Sequence, residues 1–241
     1  MFKRFFKTLE EIIYPRYCLL CRKRNPLAGL DEPVCSSCIA KIIPIISPFC
    51  KKCGRKILHP NASVGICAEC CKSQFHFDRA FAGYPYDGVI KELIHQFKYK
   101  NKIALGKRLS GLLIEFTEEY RLPLNGCDYV IPIPLYTAKL REREFNQAQI
   151  LAHYLTCHYK LIQVNNNLQR IRNTASQTEL DKRLRLENVR GAFKLKNPQA
   201  LKDKTILLID DVLTTGATAS EAARMLKSAG AAAVYVLTLA N

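Results

Sequence analysis

Eight of the eleven cysteines fall into four CxxC pairs, Cys18/Cys21, Cys35/Cys38, Cys50/Cys53 and Cys67/Cys70. This spacing leaves the first third of the chain few folds to choose from. Cys21 to Cys35 and Cys53 to Cys67 each enclose thirteen residues, so C-x2-C-x13-C-x2-C occurs twice, offset by 32. A CxxC turn puts two thiolates on one side of a tight knuckle, and two knuckles complete a tetrahedral four-sulfur site. Eight ligands fit two zinc ions, which are structural because four thiolates leave no position for water. Pairing within each repeat gives two ribbons in tandem; a cross-braced arrangement, first pair with third and second with fourth, is the alternative. Residues 15–75 show little long helical periodicity, so metal replaces a large apolar core. Cys71 adjoins a ligand and is expected to be a bystander, while Cys127 and Cys157 sit in apolar stretches and are expected in the core.

The same cysteines in a secreted protein would read as disulfides, but residues 1–14, MFKRFFKTLEEIIY, have neither a continuous apolar run nor a small-residue cleavage site. Instead Phe2, Phe5, Phe6, Leu9, Ile12 and Ile13 share one helical face. Such a helix either packs on its own protein or docks on a membrane surface or partner. No segment approaches the roughly 20 apolar residues of a transmembrane span, and a cytoplasmic location is expected. Lys and Arg number 37 against 21 acids, a formal charge of +16. Zinc on eight thiolates lowers that charge without changing its sign, which favours polyanionic partners. Arg22, Lys23, Arg24, Lys51, Lys52, Arg55 and Lys56 lie among the knuckles, where they either meet nucleic-acid phosphates or surround a protein-docking module.

Residues 206–220, ILLIDDVLTTGATAS, carry the strongest chemical signal. Four aliphatics make a buried strand, Asp210 and Asp211 end it, and a Thr/Gly turn leads into a helix with Ala222, Ala223, Leu226 and Ala229 at helical spacing. Small residues at 214–218 let backbone N–H groups point inward, Gly216 takes positive φ freely, and the helix offers its positive end to an anion. Thr214, Thr215 and Thr218 add hydroxyls beside Gly216 and Ala217, and two carboxylates suit the vicinal hydroxyls of a ribose. The stretch lacks the GK[ST] of a Walker A loop and the GxGxxG of a dinucleotide turn. It describes a sugar-phosphate site.

Beyond Phe77 the pattern is ordinary α/β. A strand pair is expected in FDRAFAGYPYD, helices at 88–98 and 105–120, a strand at 129–134 and a helix in FNQAQILAHYL. Further strands are expected at 161–164, 205–210 and 234–239, making a mostly parallel sheet whose ligands sit at the strands' carboxyl ends. In IPIPLYTAKLREREFNQ a loop is expected to gather Lys139, Arg141 and Arg143, either as a pyrophosphate site or as a solvated basic turn. RIRNTASQTELDKRLRLENVR supplies Arg170, Arg172, Thr174, Gln177, Arg183 and Arg185, either as a lid over a charged ligand or as an exposed basic helix. A basic lid beside an anion site would also guide single-stranded nucleic acid.

These pieces, in this order, resemble the ComF family of competence-associated proteins. The matching elements are the four CxxC pairs, FKYK at 97–100, PIPL at 132–135, REREFNQ at 141–147, R-x-R-x-T-x-x-Q at 170–177, R-x-x-N at 185–188 and IDDVLTTGAT at 209–218. The resemblance implies an N-terminal double zinc ribbon over 15–75, after the helix at 1–14. It also implies a type I phosphoribosyltransferase-like domain over 77–241. The implied ligand is phosphoribosyl pyrophosphate (PRPP). Asp210 and Asp211 would hold its ribose hydroxyls, Thr214 to Thr218 its 5′-phosphate, and Lys139, Arg141 and Arg143 its pyrophosphate, with magnesium bridging pyrophosphate and ribose oxygens. The resemblance further implies action on incoming single-stranded DNA at the cytoplasmic face of the membrane, beside the DNA-uptake machinery. An active phosphoribosyltransferase with an unidentified acceptor is the alternative. One departure is Glu144, where the family usually has Gly.

Overall fold

The computed structural model describes residues 17–25, 32–57, 65–99, 102–173 and 188–241. The expected N-terminal helix, and Thr174, Gln177, Arg183 and Arg185, lie outside the described residues.

The two cysteine repeats fold alike, hydrogen bond for hydrogen bond. In each, the amide of the first cysteine donates to the carbonyl five residues on, Cys18 to Lys23 at 3.0 Å and Cys50 to Arg55 at 2.7 Å. Arg22 and Gly54, the fifth residue of each knuckle, return a bond to the first cysteine's carbonyl and take positive φ, 60° and 73°. The third cysteine of each repeat precedes a short helix, α1 (Ser36–Ile39) and α2 (Ala68–Lys72), and its amide points at the first sulfur.

The sulfurs of Cys18, Cys21, Cys35 and Cys38 lie within 4.8 Å of one another, as do those of Cys50, Cys53, Cys67 and Cys70. Separations of 3.9 Å for Cys18–Cys38 and 3.7 Å for both Cys21–Cys35 and Cys53–Cys67 fit the roughly 3.8 Å edge of a zinc tetrahedron with Zn–S bonds of about 2.3 Å. Pairing is therefore within each repeat, and the cross-braced alternative falls. Burial raises these thiols, yet the amides converging on the first sulfur outweigh it, bringing Cys18 to about 6 and Cys50 to about 7. Both favour the thiolate that zinc takes.

The second part is built on a five-stranded, wholly parallel sheet. Its elements are β1 (Arg79–Tyr84), α3 (Gly88–Tyr99), α4 (Leu105–Glu119), β2 (Tyr129–Pro132), α5 (Thr137–Arg143), α6 (Gln147–Tyr159) and β3 (Ile162–Gln163). Then come β4 (Leu168–Arg170), β5 (Phe193–Leu195), β6 (Thr205–Val212), α7 (Ala217–Ser228) and β7 (Ala233–Ala240). The sheet order is β1-β7-β6-β2-β3. Central β6 shows why: Ile206 and Leu208 pack with α7 on one face, while Leu207 and Ile209 pack with α3, α4 and α6 on the other. Ribbon residues join these cores, Cys18, Val34 and Cys38 on the α3/α4 side and Cys50 and Cys53 on the α7 side.

Several local expectations need correction. FDRAFAGYPYD forms one edge strand, not a pair, because Pro85 ends it and Gly88, at φ 46°, begins α3. Strand β6 runs two residues past Asp210, so its acids occupy the last rungs instead of ending it; Asp210 lies opposite Thr238. The basic loop after β2 is the helix α5. An antiparallel hairpin of β4 and β5, absent from the sequence reading, stands beside the parallel sheet. Cys127 is buried as expected, but Cys157 is exposed on α6, its sulfur 3.9 Å from the His153 ring nitrogens. Among the described residues no helix is long and apolar enough to cross a membrane.

Gly54 and Arg22 share a conformation but not a neighbourhood. A Cβ on Gly54 would sit 2.9 Å from the Ala80 carbonyl oxygen and 3.0 Å from the Ala82 nitrogen, both β1 backbone. Gly54→Ala is therefore expected to lower thermal stability by more than the roughly 1–2 kcal/mol of a left-handed residue. Arg22→Gly is expected to leave stability equal or higher in the same melting experiment. Equal small effects at both positions would contradict the close ribbon–sheet contact.

Candidate functional site

The carboxyl ends of β6 and β2, the start of α7 and the helices α3 and α5 enclose a cleft of about 580 Å3. The pleat of β6 sends its two acids to opposite sides of the strand, and both reach the cleft. Asp211, 8% exposed, follows Leu207 and Ile209 onto the α3 side, where Lys98 meets it at 2.8 Å. Burial would lower Lys98, but Asp211 outweighs it and holds the ammonium above its usual value. Asp210 accepts the Asp211 amide at 2.9 Å. Burial, then the neighbouring Asp211, pushes Asp210 up to about 7, against the pull of Lys98 and Arg170.

The opposite wall is basic. Lys139 and Arg143, one turn apart on α5, both line the cleft, whereas Arg141 points to solvent and does not. The helix explains the split, since residues four apart share a face and those two apart do not. Burial, then the charges of Arg170 and Arg143, lowers Lys139. Arg170, at the end of β4, faces Asp210 and lies over the Phe193 ring at 5.6 Å. Arg172 instead donates to the Arg190 carbonyl at 2.6 Å and closes the hairpin. Four cations therefore face two carboxylates, one of which, Asp210, is held well above the ordinary carboxylate range.

Gly216 opens α7 with φ 76°, and its carbonyl accepts the Ser220 amide at 2.8 Å. A side chain there is doubly excluded, because a Cβ would also approach the Phe75 ring to 2.9 Å. Thr214, Gly216, Ala217 and Thr218 border the cleft, while Thr215 faces the ribbon and accepts the Ala217 amide at 3.4 Å. The turn thus offers backbone amides and hydroxyls at a helix N-terminus, beside two carboxylates and across from the basic wall. That set of groups suits a ligand with hydroxyls in its middle and phosphates at both ends.

Sequence reasoning missed several lining residues. Lys98 lay inside the FKYK match without a role. Tyr86, His95 and Tyr99 put three rings on the wall that α3 and its preceding turn supply, with His95 and Tyr99 4.9 Å apart. Their i, i+4 spacing is the signal that was available. Arg143 stacks on Tyr99 at 5.0 Å, donates to its hydroxyl at 3.2 Å and reaches the Gln147 amide oxygen at 3.3 Å. The Gln147 Nε2 and Arg143 Nε are buried donors with no acceptor among the described residues. Asn146 caps α6, accepting the Ala148 amide at 3.1 Å while donating to the Ile133 carbonyl at 3.0 Å.

Comparison with known proteins agrees with both halves. Residues 9–72 match the double zinc ribbon domain family, and residues 145–241 match the phosphoribosyl transferase domain family. DNA utilization protein YhgH of Escherichia coli strain K12 is 31% identical over 93% of this chain and 96% of its own. Competence protein F of Haemophilus influenzae is 28% identical with the same coverage. Competence protein ComFC of Bacillus subtilis is 30% identical over 92% of each chain.

Two outcomes follow from the cleft's electrostatics and backbone. Asp210 holds its proton more tightly folded than unfolded, so its stabilising contribution is complete below the ordinary carboxylate range and is lost as pH rises through about 7. In calorimetry of the ligand-free protein, Asp210→Asn is expected to melt higher than wild type at pH 8, with the gain shrinking towards pH 5. A pH-independent gain would contradict the buried proton. Glu144 caps α5 at φ 64°. Glu144→Gly is expected to stabilise by about 1 kcal/mol through relief of the left-handed backbone; a lower melting temperature would mean its side chain contributes more than its backbone costs.

Proposed function

Because the chain belongs to the family of DNA utilization protein YhgH and competence protein ComFC, we propose that it is a ComF-type protein of DNA uptake. In this reading its cleft binds PRPP and its basic surfaces bind single-stranded DNA. The carrying observation is the juxtaposition of the Asp210–Asp211 pair with Lys98, Lys139, Arg143 and Arg170 around the turn that opens α7. The carboxylates accept from the ribose hydroxyls, the 214–218 turn takes the 5′-phosphate, and Lys139 and Arg143 take the pyrophosphate. Magnesium, if it entered with PRPP, would lie near the Asp210 and Asp211 carboxylates and would neutralise part of the ligand's negative charge. Arg141, exposed and outside the cleft, leaves the proposed pyrophosphate set and joins the basic surface. The protein acts in the cytoplasm, at the inner membrane face where incoming strands arrive, and its partners there are the DNA-uptake machinery or the membrane surface.

Turnover is the second reading, favoured by the Tyr86, His95 and Tyr99 rings. They give a planar acceptor a surface within the same cleft. In that case basic residues stabilise departing pyrophosphate, and the enzyme is a pentosyl transferase.

Titration with PRPP, with and without magnesium, is expected to give saturable heat in wild type and none in the Asp210→Asn/Asp211→Asn double variant. Single-strand binding should weaken steeply with salt. Binding without pyrophosphate release supports the first reading, and release abolished by Asp211→Asn supports the second. Wild type that binds neither PRPP nor single strands overturns both.

A further inference from the structure

The second ribbon makes a contact that metal binding does not require. Arg55 lies two residues past Cys53, and the knuckle fixes its backbone by the Cys50 N–Arg55 O and Gly54 N–Cys50 O bonds of 2.7 and 2.9 Å. From there its guanidinium crosses to the sheet domain and donates to the Thr214 carbonyl at 3.2 Å. That carbonyl belongs to the first peptide of the turn proposed to receive the 5′-phosphate. In a planar trans peptide C=O and N–H point opposite ways. Drawing the Thr214 oxygen towards the ribbon therefore turns the Thr215 N–H away from it.

Two further contacts hold the same turn from behind. The Phe75 ring fills the space where a Cβ on Gly216 would stand, and it stacks on Phe77 with centroids 4.8 Å apart. Asn241 Nδ2 donates to the Cys53 carbonyl at 3.2 Å, while the neighbouring Ala240 carbonyl accepts the Leu213 amide at 2.8 Å. A cavity of about 70 Å3, lined by Cys53, Arg55, Phe75, Thr215 and Gly216, lies between ribbon and turn. Lys52, another residue of this knuckle, also turns inward, to the Phe77 carbonyl.

We propose that Arg55 is a positioning residue for the 214–218 turn, carrying the geometry of the Cys50/Cys53/Cys67/Cys70 site to the amides that face the anion. This rests on the sugar-phosphate reading of the cleft. Among the described residues the first ribbon has no equivalent: Lys23, the residue 32 before Arg55, is exposed.

The test uses the full chain as wild type, Arg55→Met and Arg55→Lys, each with zinc content measured. Hydrogen exchange without ligand reads the tether directly. Arg55→Met is expected to speed exchange at the Leu213, Ala217 and Ser220 amides about tenfold, with zinc content and the ribbon amides unchanged. Titration with PRPP and magnesium is expected to be about tenfold weaker for Arg55→Met, with most of the loss recovered by Arg55→Lys. Unchanged exchange and affinity in Arg55→Met would overturn the proposal, and so would faster exchange spread through the ribbon with loss of zinc. If wild type does not bind PRPP, the ligand reading fails, and exchange at 213–220 alone decides for or against the tether.

Discussion

The ion pair between Lys98 and Asp211, 2.8 Å long with both side chains largely out of water, is the contact around which the cleft is arranged. Central β6 carries aliphatics to both cores and then, with no break in the strand, two carboxylates into the same low-dielectric region. Uncompensated, such charges are expensive, and removing one partner of a buried pair typically costs about 3–5 kcal/mol. One acid is matched by Lys98 from α3, and the other keeps its proton to about 7. The cations of α5 and β4 complete a site with more positive than negative charge, a chemistry that fits a multiply charged anion better than it fits any residue of the chain itself.

The zinc ribbons are part of this arrangement and not appendages beside it. Their cysteines enter the two sheet cores, and Gly54 lies against the β1 backbone so closely that only glycine fits. The edge strand β1 is thus covered on its open side, with the Ala80 amide bonded to the Lys52 carbonyl at 2.7 Å and the Ile45 amide to the Gly83 carbonyl at 2.9 Å. An exposed parallel edge is a liability that a domain of this kind must cover. Zinc at the two four-cysteine sites would order a small module whose outer surface finishes the larger domain.

Much of this was legible in the sequence because the relevant constraints are local. Four CxxC knuckles at repeated spacing specify two tetrahedral sites, and the 32-residue offset carries over to matching hydrogen bonds. The alternation of strands and helices gave the parallel sheet, and the aliphatic-acidic-Thr/Gly run located the turn before α7. What sequence reasoning could not see depends on long-range packing. Lys98 and Asp211 are far apart in the chain, and nothing near either announces the other. Lys139, Arg141 and Arg143 looked equivalent until α5 formed and put Arg141 on the wrong face. The β4–β5 hairpin joins two runs of only three residues each, too short for periodicity to show. Positive φ at Glu144 became visible only once the backbone was known.

The central claim is that this cleft is a PRPP site whose carboxylates take the ribose and whose turn takes the 5′-phosphate. A crystal structure of the protein with PRPP and magnesium tests it most directly. The account predicts ribose hydroxyls within hydrogen-bonding distance of Asp210 and Asp211, the 5′-phosphate on the amides of the 214–218 turn, and the pyrophosphate beside Lys139 and Arg143. A ligand bound anywhere else, or a reversed ligand with its 5′-phosphate on Lys139 and Arg143, would contradict it.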